Sequence, residues 1–301
     1  MKSIVRKLRT LCILLRDAFI EWDRDNAMQL SATLAFYMVF SFAPILIFLV
    51  AVASSVFGSE TVKTEVVNHL EGVFSRSGAI MVQTVLQNAR QSSITATLMG
   101  LSAVLFGATM VFVALQEALN TIWGVTAKPG NVVKLFFRKR LVSFVMLLAV
   151  GIVLLLSTVI GIALMVAGHY VQGVLHHAWI LDLVQFAISV ALAAILFGAV
   201  YKVMPDVRIA WADIWIGALV TSILFNLGSM LIGKYVAQSA VGSLYGAAGS
   251  LAVFLIWIYY SAQVFFFGAE FTQVYARRRG FPILPDKNAV SFRIEKHPYS
   301  G

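Results

Sequence analysis

Between Arg140 and Asp182 lie 41 consecutive residues without a charged side chain. That is too many for one helical crossing of a bilayer, which takes about 20 apolar residues, and enough for most of two. Residues 29–59, 91–116 and 214–233 are likewise free of Asp, Glu, Lys and Arg. The whole chain of 301 residues is 60% hydrophobic and 12% charged, where ordinary soluble domains are about 45–50% and about 25%. A water-surrounded fold of this length has too little interior to hide so much apolar surface. The runs are continuous rather than alternating with period two, which excludes the short strands of a barrel. Within lipid a helix satisfies its own backbone hydrogen bonds in one segment. The expected fold class is therefore all-α and integral to the membrane, a six-helix bundle.

The six spans are expected near 28–57, 94–123, 141–168, 178–201, 214–233 and 251–275. The turn of the third hairpin falls at His169-Tyr170-Val171-Gln172-Gly173 and His176-His177. With the N-terminus inside, 19 of the 23 Lys and Arg fall in the cytosolic pieces 1–27, 121–140, 202–213 and 276–301. The positive-inside rule favours that orientation over its reverse, so both termini are expected in the cytosol. The net charge of +9 then reads as contact with anionic headgroups rather than with nucleic acid. The runs Arg138-Lys139-Arg140 and Arg277-Arg278-Arg279 sit beside span ends, where stop-transfer and lipid contact explain them.

Three regions flank or interrupt this domain of 28–278. Residues 1–27 read as a cytosolic interfacial helix, with no cleavable signal core in the short apolar stretch 11–15. Ile4, Leu8, Leu11, Leu15, Phe19 and Trp22 form its expected apolar stripe, with Lys2, Arg6, Arg9 and Arg16 on the other side. The outer loop 58–93 spaces Val62, Val66, Val67, Leu70 and Phe74 as a short amphipathic helix would. Residues 279–301, with Pro282, Pro285 and Pro298, read as a flexible cytosolic tail.

Polar side chains inside spans are expensive and therefore the first place to seek function. Glu117 and Asn120, with Gln116 beside them, lie near the cytosolic end of the second span. Asn226 lies mid-way in the fifth, and Gln263 and Glu270 in the sixth. Arg140, Lys202 and Arg208 are basic neighbours at that level. Together these describe either a polar vestibule for a headgroup or coupling proton, or an ion-pair belt. Pro44 kinks the first span and is a candidate hinge. Small residues at 100, 103 and 107 and at 242–250 serve close helix packing, the latter alternatively an unwound start to the sixth span. Trp123, Trp179, Trp211 and Trp257 fit interfacial belts.

No catalytic residue, cofactor site or metal site emerges. One cysteine, Cys12, allows neither a disulfide framework nor a thiolate cluster. The five histidines show no H-E-x-x-H spacing, and no G-x-S-x-G, P-loop or dinucleotide fingerprint is present.

Several segments do carry a family pattern. Leu30-Ser31-Ala32-Thr33-Leu34-Ala35-Phe36-Tyr37, then Phe40-Ser41-Phe42-Ala43-Pro44, resembles the opening signature of the YihY/virulence factor BrkB family. Ala118-Leu119-Asn120-Thr121-Ile122-Trp123-Gly124-Val125 resembles the end of its second span, and Met204-Pro205-Asp206-Val207 before Trp211-Ala212-Asp213 its fourth-to-fifth connection. Tyr245-Gly246-Ala247-Ala248-Gly249-Ser250, Tyr259-Tyr260-Ser261-Ala262-Gln263 and Gly268-Ala269-Glu270 resemble its last span. The resemblance implies a six-helix bacterial inner-membrane protein. It brings a legacy ribonuclease BN label but no established reaction, and it adds Asp206 to Asn120, Gln263 and Glu270 as candidate site residues.

The expected function is transport or flipping of an amphipathic, lipid-like envelope compound, by a protein that is not an enzyme. A non-transporting scaffold of an envelope assembly is the alternative, and a ribonuclease the third. Expected partners are membrane lipids, with anionic headgroups at the cytosolic Lys and Arg, and a homo-oligomer or envelope partner protein.

Overall fold

The structure, a computed structural model, describes residues 2–41, 107, 110–128, 145, 148, 151–153, 156, 159–160, 178–238, 246–280, 283–286 and 289–291. Pro44, Arg140, the outer loop 58–93 and the hairpin turn at 169–177 lie outside the described residues, as does most of the third span.

The described elements are α1 (Lys2–Arg24), α2 (Ala27–Ser41), α3 (Met110–Ile122), β1 (Val125–Ala127), α4 (Ala178–Val203), β2 (Val207–Arg208), α5 (Trp211–Gln238), α6 (Gly246–Arg278), β3 (Leu284–Pro285) and β4 (Ala289–Ser291). Among the described residues, three stretches are long and apolar enough to cross a membrane: Leu183–Val203, Trp211–Ile232 and Ala252–Arg278. They coincide with the fourth, fifth and sixth expected spans. Their lipid-compatible surfaces include Leu183, Ile195, Leu219, Leu227, Leu231 and Ile256, all exposed. The small-residue stretch before the sixth span is helical from Gly246 onward, so no unwound start lies within 246–250.

Local chemistry sets the helix ends. Asn26 adopts φ 52°, the left-handed conformation that Asn tolerates better than most residues, and so stops α1. Its carbonyl then accepts from Gln29 N at 2.8 Å and Leu30 N at 3.2 Å, which starts α2. Gly124 (φ 62°) closes α3 and Gly280 (φ 78°) closes the turn after α6. Pro205 lies two residues beyond the end of α4, where a proline cannot continue a helix.

The described chain divides into two compact units. One comprises 1–30, 115–224 and 263–301; the other comprises 31–114 and 225–262. In the first, the ends of α3, α4 and α6 are tied by two small sheets. β1 pairs antiparallel with β4, matching Val125 to Ser291, and β2 pairs antiparallel with β3, matching Val207 to Pro285. The tail expected to run loose from 279 is thus pinned as far as Ser291. Backbone pairing across long sequence separation needs no apolar periodicity, and none announced it.

α5 and α6 carry the same spacing, Gly217-x-x-x-Thr221 and Gly268-x-x-x-Thr272, and meet through it in antiparallel sense. A Cβ on Gly217 would overlap the Thr272 hydroxyl, and one on Gly268 would overlap that of Thr221. Each hydroxyl donates to the glycine carbonyl four residues earlier on its own helix, at 2.8 Å in both cases. No polar group is exposed to the neighbouring helix unpaired, and the backbones approach as small-residue packing allows. The buried Tyr201 hydroxyl of α4 joins them, donating to Phe265 O at 2.6 Å and lying 2.9 Å from Thr221 Oγ1.

In the second unit Ala35, Phe254 and Ile258 form a small core with Met38, Val39, Trp257 and Tyr259 around it. Gly228 admits the Tyr260 ring, and Gly107 comes within van der Waals reach of Ser41, so the small residue expected at 107 does serve close packing.

The buried face of α1 differs from the expected stripe. Leu14, Ala18 and Trp22 are buried, four residues apart, and Leu14 and Ala18 pack on Phe271 and Val274. Leu11 and Phe19 remain 43% and 57% exposed. Ala18, unremarkable as a hydrophobe, is wholly buried in that cluster. Trp123, expected in an interfacial belt, is buried instead, edge-on to Tyr201 at 6.2 Å between ring centroids.

Candidate functional site

Acids recur every fourth residue along the second half of α1: Asp17, Glu21 and Asp25. Side chains four apart share a helix face, and this face meets the C-terminal end of α6. Arg278 pairs with Asp17, and Arg277 Nη1 lies 3.3 Å from Glu21 Oε1. Hydrogen bonds from Arg16 and then from Arg278 hold the Asp17 carboxyl below the usual carboxylate range. Arg279 turns to the other side and binds Asp213 of α5 at 2.8 Å, where that carboxylate is buried. The three consecutive arginines, expected to face lipid headgroups, each take a different acid.

Among the described residues the third acid of the ladder forms no ion pair with an arginine. Asp25 interacts with Glu270 of α6. Burial pushes the Asp25 carboxyl above the usual range, and Glu21 adds to the shift, while Glu270, Arg24 and Arg277 oppose it. Glu270 itself is 0% exposed, and among the described residues neither of its oxygens has a well-formed hydrogen bond. One turn on, Gln273 donates from Nε2 to Ile122 O at 2.6 Å, leaving its buried Oε1 without a partner among the described residues. The indole N–H groups of Trp22 and Trp123 are buried and unpaired in the same sense. A carboxyl pair with unused acceptors and donors in one unit is a place where a proton, cation or polar headgroup could be held.

The other expected site residues distribute as follows. Asn120 and Asp206 come together: Asn120 Nδ2 donates to Asp206 Oδ2 at 3.0 Å, and Asp206 N donates to Asn120 Oδ1 at 2.9 Å. Gln116 Nε2 adds a longer bond to Asp206 Oδ2 at 3.3 Å. Asp206 O also accepts from Asp286 N at 2.9 Å, so this network anchors the sheet end of the unit. Glu117 is exposed. Gln263 is half-buried, and Asn226 belongs to the second unit. Lys202 donates to Ile209 O at 2.5 Å and lies over the Trp211 ring, while Arg208 pairs with Asp286 at 3.1 Å. Within the first unit, Asn120 and Asp206 thus form one described group and Glu270 with Asp25 another.

Sequence reasoning missed Asp25, Glu21 and Asp17. Their four-residue spacing, which sets all three on one helix face, is the signal the sequence carries for them. Among the described residues, no three His, Cys, Asp or Glu converge as a metal-holding group.

A UPF0761 membrane protein of Ralstonia nicotianae is 29% identical over 295 residues, covering 92% of this chain and 63% of its own length. One from Psychrobacter sp. is 24% identical, covering 98% of this chain and 57% of its own length. One from Cronobacter sakazakii is 22% identical, covering 90% and 91%. The chain therefore spans about three fifths of the first two relatives. No solved structure matches it. Residues 18–291 match the family described as Virulence factor BrkB, with the Asp17–Glu21–Asp25 ladder, the Asp206 network and Glu270 falling within or beside that match. The chain is a membrane protein of the virulence factor BrkB family, whose curated relatives are named UPF0761 membrane proteins.

Proposed function

We propose that this protein transports or flips an amphipathic, lipid-like envelope compound across the bacterial inner membrane, in a six-span bundle with both termini in the cytosol. One observation carries the reading: Glu270 is wholly buried on a membrane-length helix, with neither carboxyl oxygen hydrogen-bonded among the described residues. Burying an ionisable group against a second acid, as Glu270 is against Asp25, costs several kcal/mol. The other buried acid of that unit, Asp213, has its arginine, and Asp206 has Asn120. A purely structural bundle gains nothing by keeping Glu270, whereas a carrier needs a site that binds and releases a polar group within the membrane.

The basic cytosolic pieces support the orientation, and the exposed apolar residues of α4, α5 and α6 support lipid contact. On this reading the protein is a transporter and not an enzyme, the ribonuclease label included. Proteoliposomes test it: labelled lipid should cross faster with the protein than in empty vesicles, and Glu270→Ala should abolish the difference. Equal flux in all three preparations rejects transport and leaves the scaffold, for which the paired networks around Asp206 and Arg279 are the supporting observation.

A further inference from the structure

Charge is segregated along α1. Residues 2–16 contain Lys2, Arg6, Lys7, Arg9 and Arg16 and no acid, whereas Asp17, Glu21, Asp23 and Asp25 follow within nine residues. The acidic half is clamped to the arginines of α6. The basic half has another neighbour. A groove of about 460 Å³ lies beside it, lined by Arg6, Thr10, Leu11 and Leu14 of α1, Ile216 of α5, and Phe271 and Tyr275 of α6. That volume lies within the range of about 300–1,000 Å³ usual for small-molecule sites.

The lining has a polar end and an apolar end. Arg6, Thr10 and Leu14 are spaced four apart on one helix face, so the groove passes from guanidinium to hydroxyl to hydrocarbon along α1. Its far wall is aromatic, with Phe271 and Tyr275 stacked at 6.5 Å between centroids and 10° between planes. Arg6 therefore shares a face with apolar residues, not the opposite face that the sequence pattern assigned to it. Its side chain is exposed and makes no ion pair among the described residues, in contrast to Arg277, Arg278 and Arg279. An exposed arginine lining an apolar trough matches a phosphate attached to a hydrocarbon chain.

We propose that this groove is a binding site for an anionic phospholipid of the adjoining leaflet, with Arg6 on the phosphate and an acyl chain laid against Leu14, Ile216 and Phe271. The site stands apart from transport, because it can hold a lipid whether or not the protein moves one.

The test adds dioctanoylphosphatidylglycerol to the detergent-purified full chain and counts bound lipid by native mass spectrometry. Dioctanoylphosphatidylcholine and glycerol phosphate are the controls. The wild type should bind the anionic lipid, bind the zwitterionic one more weakly, and not exchange it for glycerol phosphate. Arg6→Gln should weaken anionic binding about tenfold by removing one charge-assisted contact, with little effect on the zwitterionic lipid. Thr10→Trp, a change at an exposed position that fills the groove, should reduce binding of both lipids. Equal affinity for both headgroups, unaltered by Arg6→Gln, overturns the site, as does undiminished binding by Thr10→Trp. Displacement by glycerol phosphate assigns the arginine to soluble phosphates and also overturns it. Loss of flux with binding retained would count against the transport reading alone.

Discussion

The Thr221 hydroxyl of α5 occupies the space that a Cβ on Gly268 of α6 would need, and the Tyr201 hydroxyl lies 2.6 Å from the same point. Three helices therefore meet at one residue without a side chain. Gly268→Ala sets a methyl group against the Thr221 side chain and the Tyr201 hydroxyl, both of which must shift, at about 1–3 kcal/mol for overpacking. Thermal unfolding in detergent should show a clear loss for Gly268→Ala, partly restored by adding Thr221→Ala. A Gly268→Ala protein as stable as wild type would mean that α5 and α6 do not meet as described.

Removing the partner of a buried charge costs more than removing that of a surface one. Asp213 has a side chain only 2% exposed, and its partner Arg279 is 43% exposed. Asp286 and Arg208 are 35% and 58% exposed. Arg279→Ala should therefore destabilise by about 1–3 kcal/mol, reduced from the fully buried case by solvent at the arginine. Arg208→Ala should cost under about 1 kcal/mol. Denaturation of the two variants side by side checks the order, and a reversed order contradicts the burial of Asp213.

The long uncharged runs made α4, α5 and α6 legible in advance, because hydrocarbon length alone specifies them. The polar residues were legible singly but not in their groupings. Asn120 meets Asp206 across 86 residues of sequence, and Asp25 meets Glu270 across a longer gap still. No local period encodes such pairings. The face of α1 was misjudged because Leu11, Leu15 and Phe19 outweigh Ala18 on any apolar count, yet the small side chain is what lets the helices approach. The Gly-x-x-x-Thr repeats in α5 and α6 were readable in principle, since their equal spacing needs only the two segments laid antiparallel.

Asp25 gives stability a pH dependence of definite sign. Its carboxyl is raised by burial in the folded state, so the folded protein binds that proton more readily than the unfolded one. Stability is then lost as pH rises from about 3.9, the unfolded value, through the raised folded value. Asp25→Asn should unfold at a higher temperature than wild type at pH 7, with the gap narrowing towards pH 4. The depressed carboxyl of Asp17 acts in the opposite sense below that range and is common to both proteins. A gap that does not change with pH, or widens on acidification, would refute the assignment.

Asn120 serves the Asp206 backbone N–H and carboxylate at once. Asn120→Ala removes one hydrogen bond from each and should destabilise by about 1–3 kcal/mol. Asn120→Asp should do more harm at pH 7, since it sets a second carboxylate against the first. Urea unfolding of the two variants decides, and equal tolerance of both would show that the network does not hold this end of the unit together.

The account turns on Glu270 being kept for function, and Glu270→Gln examined for stability and lipid flux in one preparation is the direct measurement. Exchanging a buried carboxyl set against Asp25 for an amide of the same shape should leave thermal stability unchanged or higher, while flux in proteoliposomes falls to the level of empty vesicles. A variant that unfolds earlier yet carries lipid at the wild-type rate would make Glu270 a structural residue and contradict the proposed mechanism.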